Sequence, residues 1–177
     1  LSQSGPPGSK KFARPIFLTR PARRPTLHRM TEERAKSHAI MEKVLAQYPV
    51  GSVHSLTGIA AGLIHETCLL QTSAGRYVLQ RLHPDLASDG ILADYRAVTE
   101  HLADRAFPSP RLVPTVDGRF HVDQDNSRYR LITYVPGVSS DSVADCRMAG
   151  EAARMMGSFH VAMGEFRHAF ISGRPLH

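Results

Sequence analysis

Three strand patterns follow one another between residues 52 and 82 with only short turns between them, and no other feature restricts the fold of this chain as tightly. Ser52 to Thr57, Ile64 to Gln71 and Arg76 to Leu82 are short runs rich in β-branched and apolar residues, and Ser73-Ala74-Gly75 is turn chemistry. Strands joined by so few residues must run antiparallel, because a parallel pair needs a crossover of a dozen residues or more. A doubly wound parallel sheet is thereby excluded for this segment.

The rest of the chain extends the same plan. Upstream, Thr31 to Tyr48 reads as a helix with Thr31 as its cap and Ile40, Val44, Leu45 and Tyr48 on one face, stopped by Pro49 and Gly51. Downstream, Ala87 to Arg105 is a second helix whose apolar positions are Ile91, Tyr95, Val98 and Leu102. After the loop Phe107-Pro108-Ser109-Pro110 come strand patterns at Leu112 to Val116, Phe120 to Gln124 and Arg128 to Val135. Asp117-Gly118 and Asp125-Asn126-Ser127 turn the chain between them, and Pro136-Gly137 ends the last. Ser139 and Ser140 can cap a final helix carrying a stripe of Ala152, Met156, Phe159, Met163 and Phe166, which reads as core packing. The order is three strands, one helix and two or three more strands, and the expected class is α+β with a five-stranded antiparallel sheet.

A formal charge of +6 raises the question of a nucleic-acid partner, and its distribution argues against one. Residues 1 to 30 hold seven Lys or Arg and no acid, which leaves fifteen basic against sixteen acidic residues beyond Met30. That tail is rich in Pro, Gly and Ser and is expected to be disordered. No apolar run is long enough to span a bilayer, so no membrane partner is expected. The two cysteines, Cys68 and Cys146, fall in segments that read as buried and show no metal-binding spacing, which suits a reducing cytoplasm.

The chemistry is concentrated in LTGIAAGLIHETCLLQTSAGRYVLQRLH, residues 56 to 83. Gly58 and Gly62 let backbone N–H groups approach phosphate oxygens, and Arg81, at the far end of the following hairpin, can neutralise one of them. The glycines spell G-x-x-x-G, which is neither the Walker pattern nor G-x-G-x-x-G, and a plain glycine-bearing turn fits them equally well.

Five motifs in order carry a resemblance: the glycine hairpin, YVLQRLHP (77 to 84), VTEHL (98 to 102), RLITYVPG (130 to 137) and SFHVAM (158 to 163). Together they resemble the aminoglycoside phosphotransferase and choline kinase superfamily over roughly residues 50 to 168, and in texture its N-acetylhexosamine kinase-like members. The resemblance implies a protein-kinase-like fold in which residues 31–135 form the ATP-binding small lobe with a leading helix. Residues 136–177 then form the hinge and the start of a helical lobe, after a basic tail at 1–30. It also implies that Gly58 and Gly62 lie in the loop over the nucleotide phosphates. Arg81 takes the position of the phosphate-pairing basic residue, with Gln80 as the alternative if the register differs by one. The helix position that would hold that basic residue falls on Tyr95, so either the adjacent Asp94 is the partner in a shifted register or the ion pair is absent and Asp94 is a solvated helix charge. Thr133 to Val135 becomes the hinge, where the Thr133 carbonyl and Val135 N–H meet the adenine edge. Ile132 and Val135 supply apolar walls, or serve as ordinary core.

The same resemblance implies ATP as cofactor, Mg²⁺ in a full-length protein, and a small molecule bearing a sugar or alcohol hydroxyl as acceptor. The family's catalytic loop, H-x-D-x-x-x-x-N, and its later metal-holding Asp have no counterpart here: His83-Pro84-Asp85 has the first spacing but no Asn five residues after the Asp. The expected function is thus the N-terminal ATP-binding portion of a phosphotransferase, inactive as this chain. The alternative is a non-catalytic remnant or binding lobe of the same fold.

Overall fold

The computed structural model describes residues 27–59, 64–138, 140 and 142–173. Gly62, Ser139 and most of the basic tail lie outside them. The chain runs α1 (Leu27–Leu45), β1 (Val53–Ile59), β2 (Glu66–Thr72), β3 (Gly75–Arg81), α2 (Asp89–Asp104), β4 (Val122–Gln124), β5 (Ser127–Thr133) and α3 (Cys146–Met163). The strands form one antiparallel sheet in the order β1-β2-β3-β5-β4, the α+β class expected.

Several boundaries differ from those read in the sequence. Helix α1 begins at Leu27, four residues before the proposed Thr31 cap and inside the span assigned to the tail. Strand β1 runs on through Gly58, which pairs with Cys68. The strand expected over Leu112 to Val116 contracts to a single bridge between Leu112 and Ile132. Its neighbour Thr115 is drawn into the Asp117-Gly118 turn, where it hydrogen-bonds Arg119 and Asp117. Asp145, rather than Ser139 or Ser140, caps α3 by accepting the Met148 N–H at 2.7 Å. Cys146, expected to be buried, is the first residue of that helix and is exposed.

Both faces of the sheet are used, and alternation along the strands decides which residue serves which face. One face packs on α1: Val44, Leu45 and Tyr48 meet Leu70, Leu79, Tyr129 and Leu131 in the main core. On this face the apolar residues hold the middle of each strand, and the strand ends are polar at Glu66, Thr72, Arg81 and Ser127. The opposite face looks toward α2, where Tyr95 reaches the sheet through Arg130. Helix α2 starts at Ser88, whose hydroxyl accepts the Ile91 N–H, and it buries Leu92, Asp94, Thr99 and Leu102.

Helix α3 is the departure from a closed core. Of its residues only Ala162 is buried, while Met156 is 57% exposed and Val161 81% exposed. Phe159 makes an edge contact with Phe107, with ring centroids 5.7 Å apart, and the nearby Phe166 packs edge-on against His101. Of the stripe read as core packing, Phe159, Met163 and Phe166 are half-buried, while Ala152 and Met156 are exposed.

Candidate functional site

Pairing across the sheet arranges the α2 face into two rows that run perpendicular to the strands. Directly opposed residues share a face, so the register Thr57↔Leu69, Leu69↔Val78 and Val78↔Ile132 makes one row. The next row, one pleat along, is Ile59↔Thr67, Thr67↔Gln80 and Gln80↔Arg130. The first row is apolar from Leu69 to Ile132 and lies beside the segment that leaves the sheet at Thr133. The second is polar from Thr67 to Arg130 and lies toward the β1–β2 connection, of which residues 60–63 are outside the described set.

Hydrogen bonds knit the polar row. The Arg130 Nε donates to Gln80 Oε1 at 2.9 Å, Gln80 Nε2 donates to Thr67 Oγ1 at 3.4 Å, and that hydroxyl donates to the His65 carbonyl at 3.2 Å. Arg130 is only 8% exposed, and its guanidinium carbon sits 4.4 Å from the centre of the Tyr95 ring. Burial pulls its basicity down, and Tyr95 partly offsets that. The same neighbourhood acts on His65, whose basicity is lowered first by burial and then by the charges of Arg130 and His83. His65 Nδ1 accepts the His83 N–H at 3.2 Å, which fixes the ring beside the row.

Arg81 stands on the other face. Its side chain donates to Glu66 Oε1 at 2.8 Å and to Ser127 Oγ at 2.9 Å, and it lines a groove toward α1 with Ile40, Met41 and Tyr129. The register thus turns Gln80, not Arg81, toward α2, which corrects the placement of Arg81 beneath the phosphate loop. Gly58 lies within β1 and in the alternation that faces α1. Ile132 is buried in the apolar row. Thr133 is held by Arg111: its N–H donates to the Arg111 carbonyl and its hydroxyl accepts the Arg111 N–H, both at 2.9 Å. Val135 is partly exposed, and its N–H donates to no described residue.

Asp94 is not a solvated charge. It is 6% exposed and receives Ile171 N–H at 3.1 Å, Ser172 N–H at 2.9 Å and His168 Nε2 at 2.8 Å. Burial alone would raise its pKa, but these hydrogen bonds hold the carboxyl well below the usual carboxylate range. It ties α2 to the segment after α3 and makes no pair with the sheet.

A separate open groove of about 1040 Å³ lies at the far end of the sheet, bounded by Arg81, His83, Asp89, Asp123 and Arg128. Its cations are already matched: Arg128 bonds both Asp123 and Asp89, and Arg81 bonds Glu66. No group of three or more His, Cys, Asp or Glu side chains placed to hold a metal ion occurs among the described residues. None of the described helices is long and apolar enough to cross a membrane.

Comparison with known proteins matches this architecture. The homoserine kinase of Caulobacter vibrioides strain NA1000 / CB15N is 31% identical over 113 residues, covering 63% of this chain and 35% of that protein. The homoserine kinase of Methylobacillus glycogenes is 29% identical over 142 residues, covering 79% of this chain and 43% of that protein. The chain therefore spans well under half the length of these relatives. Among solved structures, the amicoumacin kinase hAmiN in complex with AMP-PNP, Ca²⁺ and Ami superposes with a TM-score of 0.63 at 13% identity, over 80% of this chain and 44% of that one. An aminoglycoside phosphotransferase from Alicyclobacillus acidocaldarius gives a TM-score of 0.52 at 16% identity, over 68% and 34%. The sheet and its helices thus have the fold of a kinase-like small lobe. Residues 55–174 match the sequence model of the phosphotransferase enzyme family, and by that match the chain belongs to it.

Proposed function

We propose that residues 31–135 are the ATP-binding lobe of a phosphotransferase acting on the hydroxyl of a small molecule, and that 136–177 begin the lobe that would receive the acceptor. The observation that carries this reading is the pair of rows on the α2 face. An apolar bed of Leu69, Val78 and Ile132 suits a purine ring, and the Val135 N–H at its margin can meet the ring edge. The polar row one pleat away then falls under the phosphates, beside the connection that contains Gly62. The residues present therefore fit a nucleotide.

They do not fit Mg²⁺. The two rows contain no carboxylate, and a hard cation of this kind is held by carboxylate and phosphate oxygens. In this reading the chain's own residues bind and orient the nucleotide, and activation of the acceptor hydroxyl belongs to residues outside the lobe. Transfer of phosphate by the 177-residue chain alone is then expected to be absent, since the two rows offer no carboxylate to hold a metal ion or to orient an acceptor hydroxyl.

Relatives that are homoserine kinases favour a small amino-acid alcohol as acceptor over a sugar, although the contacts that would choose between them are not in these two rows. The test is calorimetric titration of the chain with ATP and with adenosine. Saturable binding of both, lost in Val78→Trp, which fills the bed, supports the reading. A folded protein that binds neither at millimolar ligand overturns it.

A further inference from the structure

We infer that Arg130, on β5, is the cation that contacts the nucleotide phosphates, held in place by Gln80 on β3 and the ring of Tyr95 on α2. This rests on the nucleotide reading above and deepens it by naming the residue and the strand.

Arg130 is only 8% exposed as a residue, and a charge so largely withdrawn from water is stabilised by a compensating anion. None of the described residues supplies one. Its Nε is taken by a neutral amide oxygen, one face is covered by an aromatic ring, and no carboxylate pairs with it. The two Nη atoms have no partner among the described residues. They are not sealed in, since no fully buried side-chain nitrogen or oxygen among those residues lacks a hydrogen bond. A planar fork with its base fixed and its tips open is arranged for bidentate contact with a phosphate.

The neighbours define the direction of that contact. Arg130 shares its row with Gln80 and Thr67, and the row leads to His65 at the end of the β1–β2 connection. His65 is itself less basic because of burial and of the Arg130 charge, so that charge is felt along the row as far as the β1–β2 connection. Arg128, two residues earlier on β5, gives the contrast: it is fully engaged by Asp123 and Asp89. Gln80 is a positioning residue here. As a neutral acceptor it fixes the guanidinium plane without neutralising the charge, whereas Glu at the same place would neutralise it.

Gln80→Glu is therefore the decisive variant, because it keeps the shape and supplies an internal anion. Binding is measured by calorimetry with ATP and with adenosine, both in chelator so that no metal enters the readout. Expected for Q80E is a raised melting temperature together with about 10–100-fold weaker ATP binding and unchanged adenosine binding. Arg130→Met, which keeps the length and packing of the stem, should lose ATP affinity to a similar extent and again spare adenosine. Arg81→Met should alter neither.

A Q80E protein that is more stable yet retains full ATP affinity overturns the inference, as does an R81M protein that loses ATP affinity while Q80E keeps it. If R130M does not fold, the stability and ATP affinity of Q80E still decide. Wild-type protein that binds adenosine and ATP equally well overturns the role of Arg130 while leaving the nucleotide site standing. Wild-type protein that binds neither removes both.

Discussion

Asp94 and His168 meet at 2.8 Å across the gap between α2 and the segment that follows α3, and the same carboxylate also receives the Ile171 and Ser172 N–H groups. One side chain from the middle of a helix thus stands in as the hydrogen-bond partner for a stretch of irregular backbone. Gly90, one turn earlier, permits the approach, since a Cβ there would lie 3.1 Å from the Ser172 Cα. Asp94→Asn retains one acceptor and loses the charge, and should cost about 1–3 kcal/mol of stability. Urea unfolding gives that value, and hydrogen exchange should show lost protection at Ile171 and Ser172 with little change at Leu79.

The same clasp carries a pH dependence. Its carboxyl is held below its ordinary value of 3.8, so it binds its proton less readily in the folded protein than in the unfolded chain. Its contribution is therefore present in full above that ordinary value and is lost as the pH falls below it toward the folded value. The urea midpoints of wild type and D94N should differ by a constant amount from neutral pH to about 5 and converge below about 4. A gap that widened with acid would contradict the depressed carboxyl.

Val78 and Leu79 are adjacent on β3 and point to opposite faces, which makes them a paired test of the sheet. Leu79 is 1% exposed in the core against α1, and Leu79→Ala should destabilise by about 2–5 kcal/mol with adenosine affinity unchanged in the folded fraction. Val78 is half-buried in the apolar row, and Val78→Trp should abolish adenosine binding with a stability change within about 1.5 kcal/mol. Exchange of the two phenotypes would mean the two faces are assigned the wrong way round.

At Gly51 the backbone has φ +72°, and a Cβ there would come within 2.3 Å of Ser73 Oγ and the Cβ of that serine at 3.6 Å. That oxygen already accepts the Ser52 N–H at 3.0 Å, which binds the start of β1 to the β2–β3 turn. Gly51→Ala should cost about 1–3 kcal/mol from the left-handed backbone and the displaced serine. Denaturant unfolding measures it, and Ser73→Ala in the same background should recover part of the loss by removing the clashing hydroxyl.

Hairpin order, strand number and the α1 core were legible in the sequence because each depends on local signals: turn residues at 73–75, 117–118 and 125–126, and apolar positions at Leu70, Leu79, Tyr129 and Leu131. Facing was harder. Strands β3 and β5 carry apolar residues on both faces, Val78-Leu79 and Leu131-Ile132 being consecutive, so the alternation that would separate Gln80 from Arg81 is blurred where it matters. The signal for Arg130 is its place in β5, where it borders the apolar run Leu131-Ile132 and a cation needs a partner. Asp94 had none within its own helix, because its partners lie more than seventy residues later. Cys146 reads as interior only if α3 starts earlier, and the Asp145 cap puts it at the exposed first turn instead.

The two rows leave β3 and β5 no spare positions, and this limits how such a lobe can vary. Inserting one residue into either strand would carry Gln80 or Arg130 around to the α1 side and bring a leucine into the rows that face α2, so a single length change would damage both faces together. Added residues should be tolerated instead at the tips at 73–74, 117–118 and 125–126, where they lengthen a loop and leave the strand pairings in place.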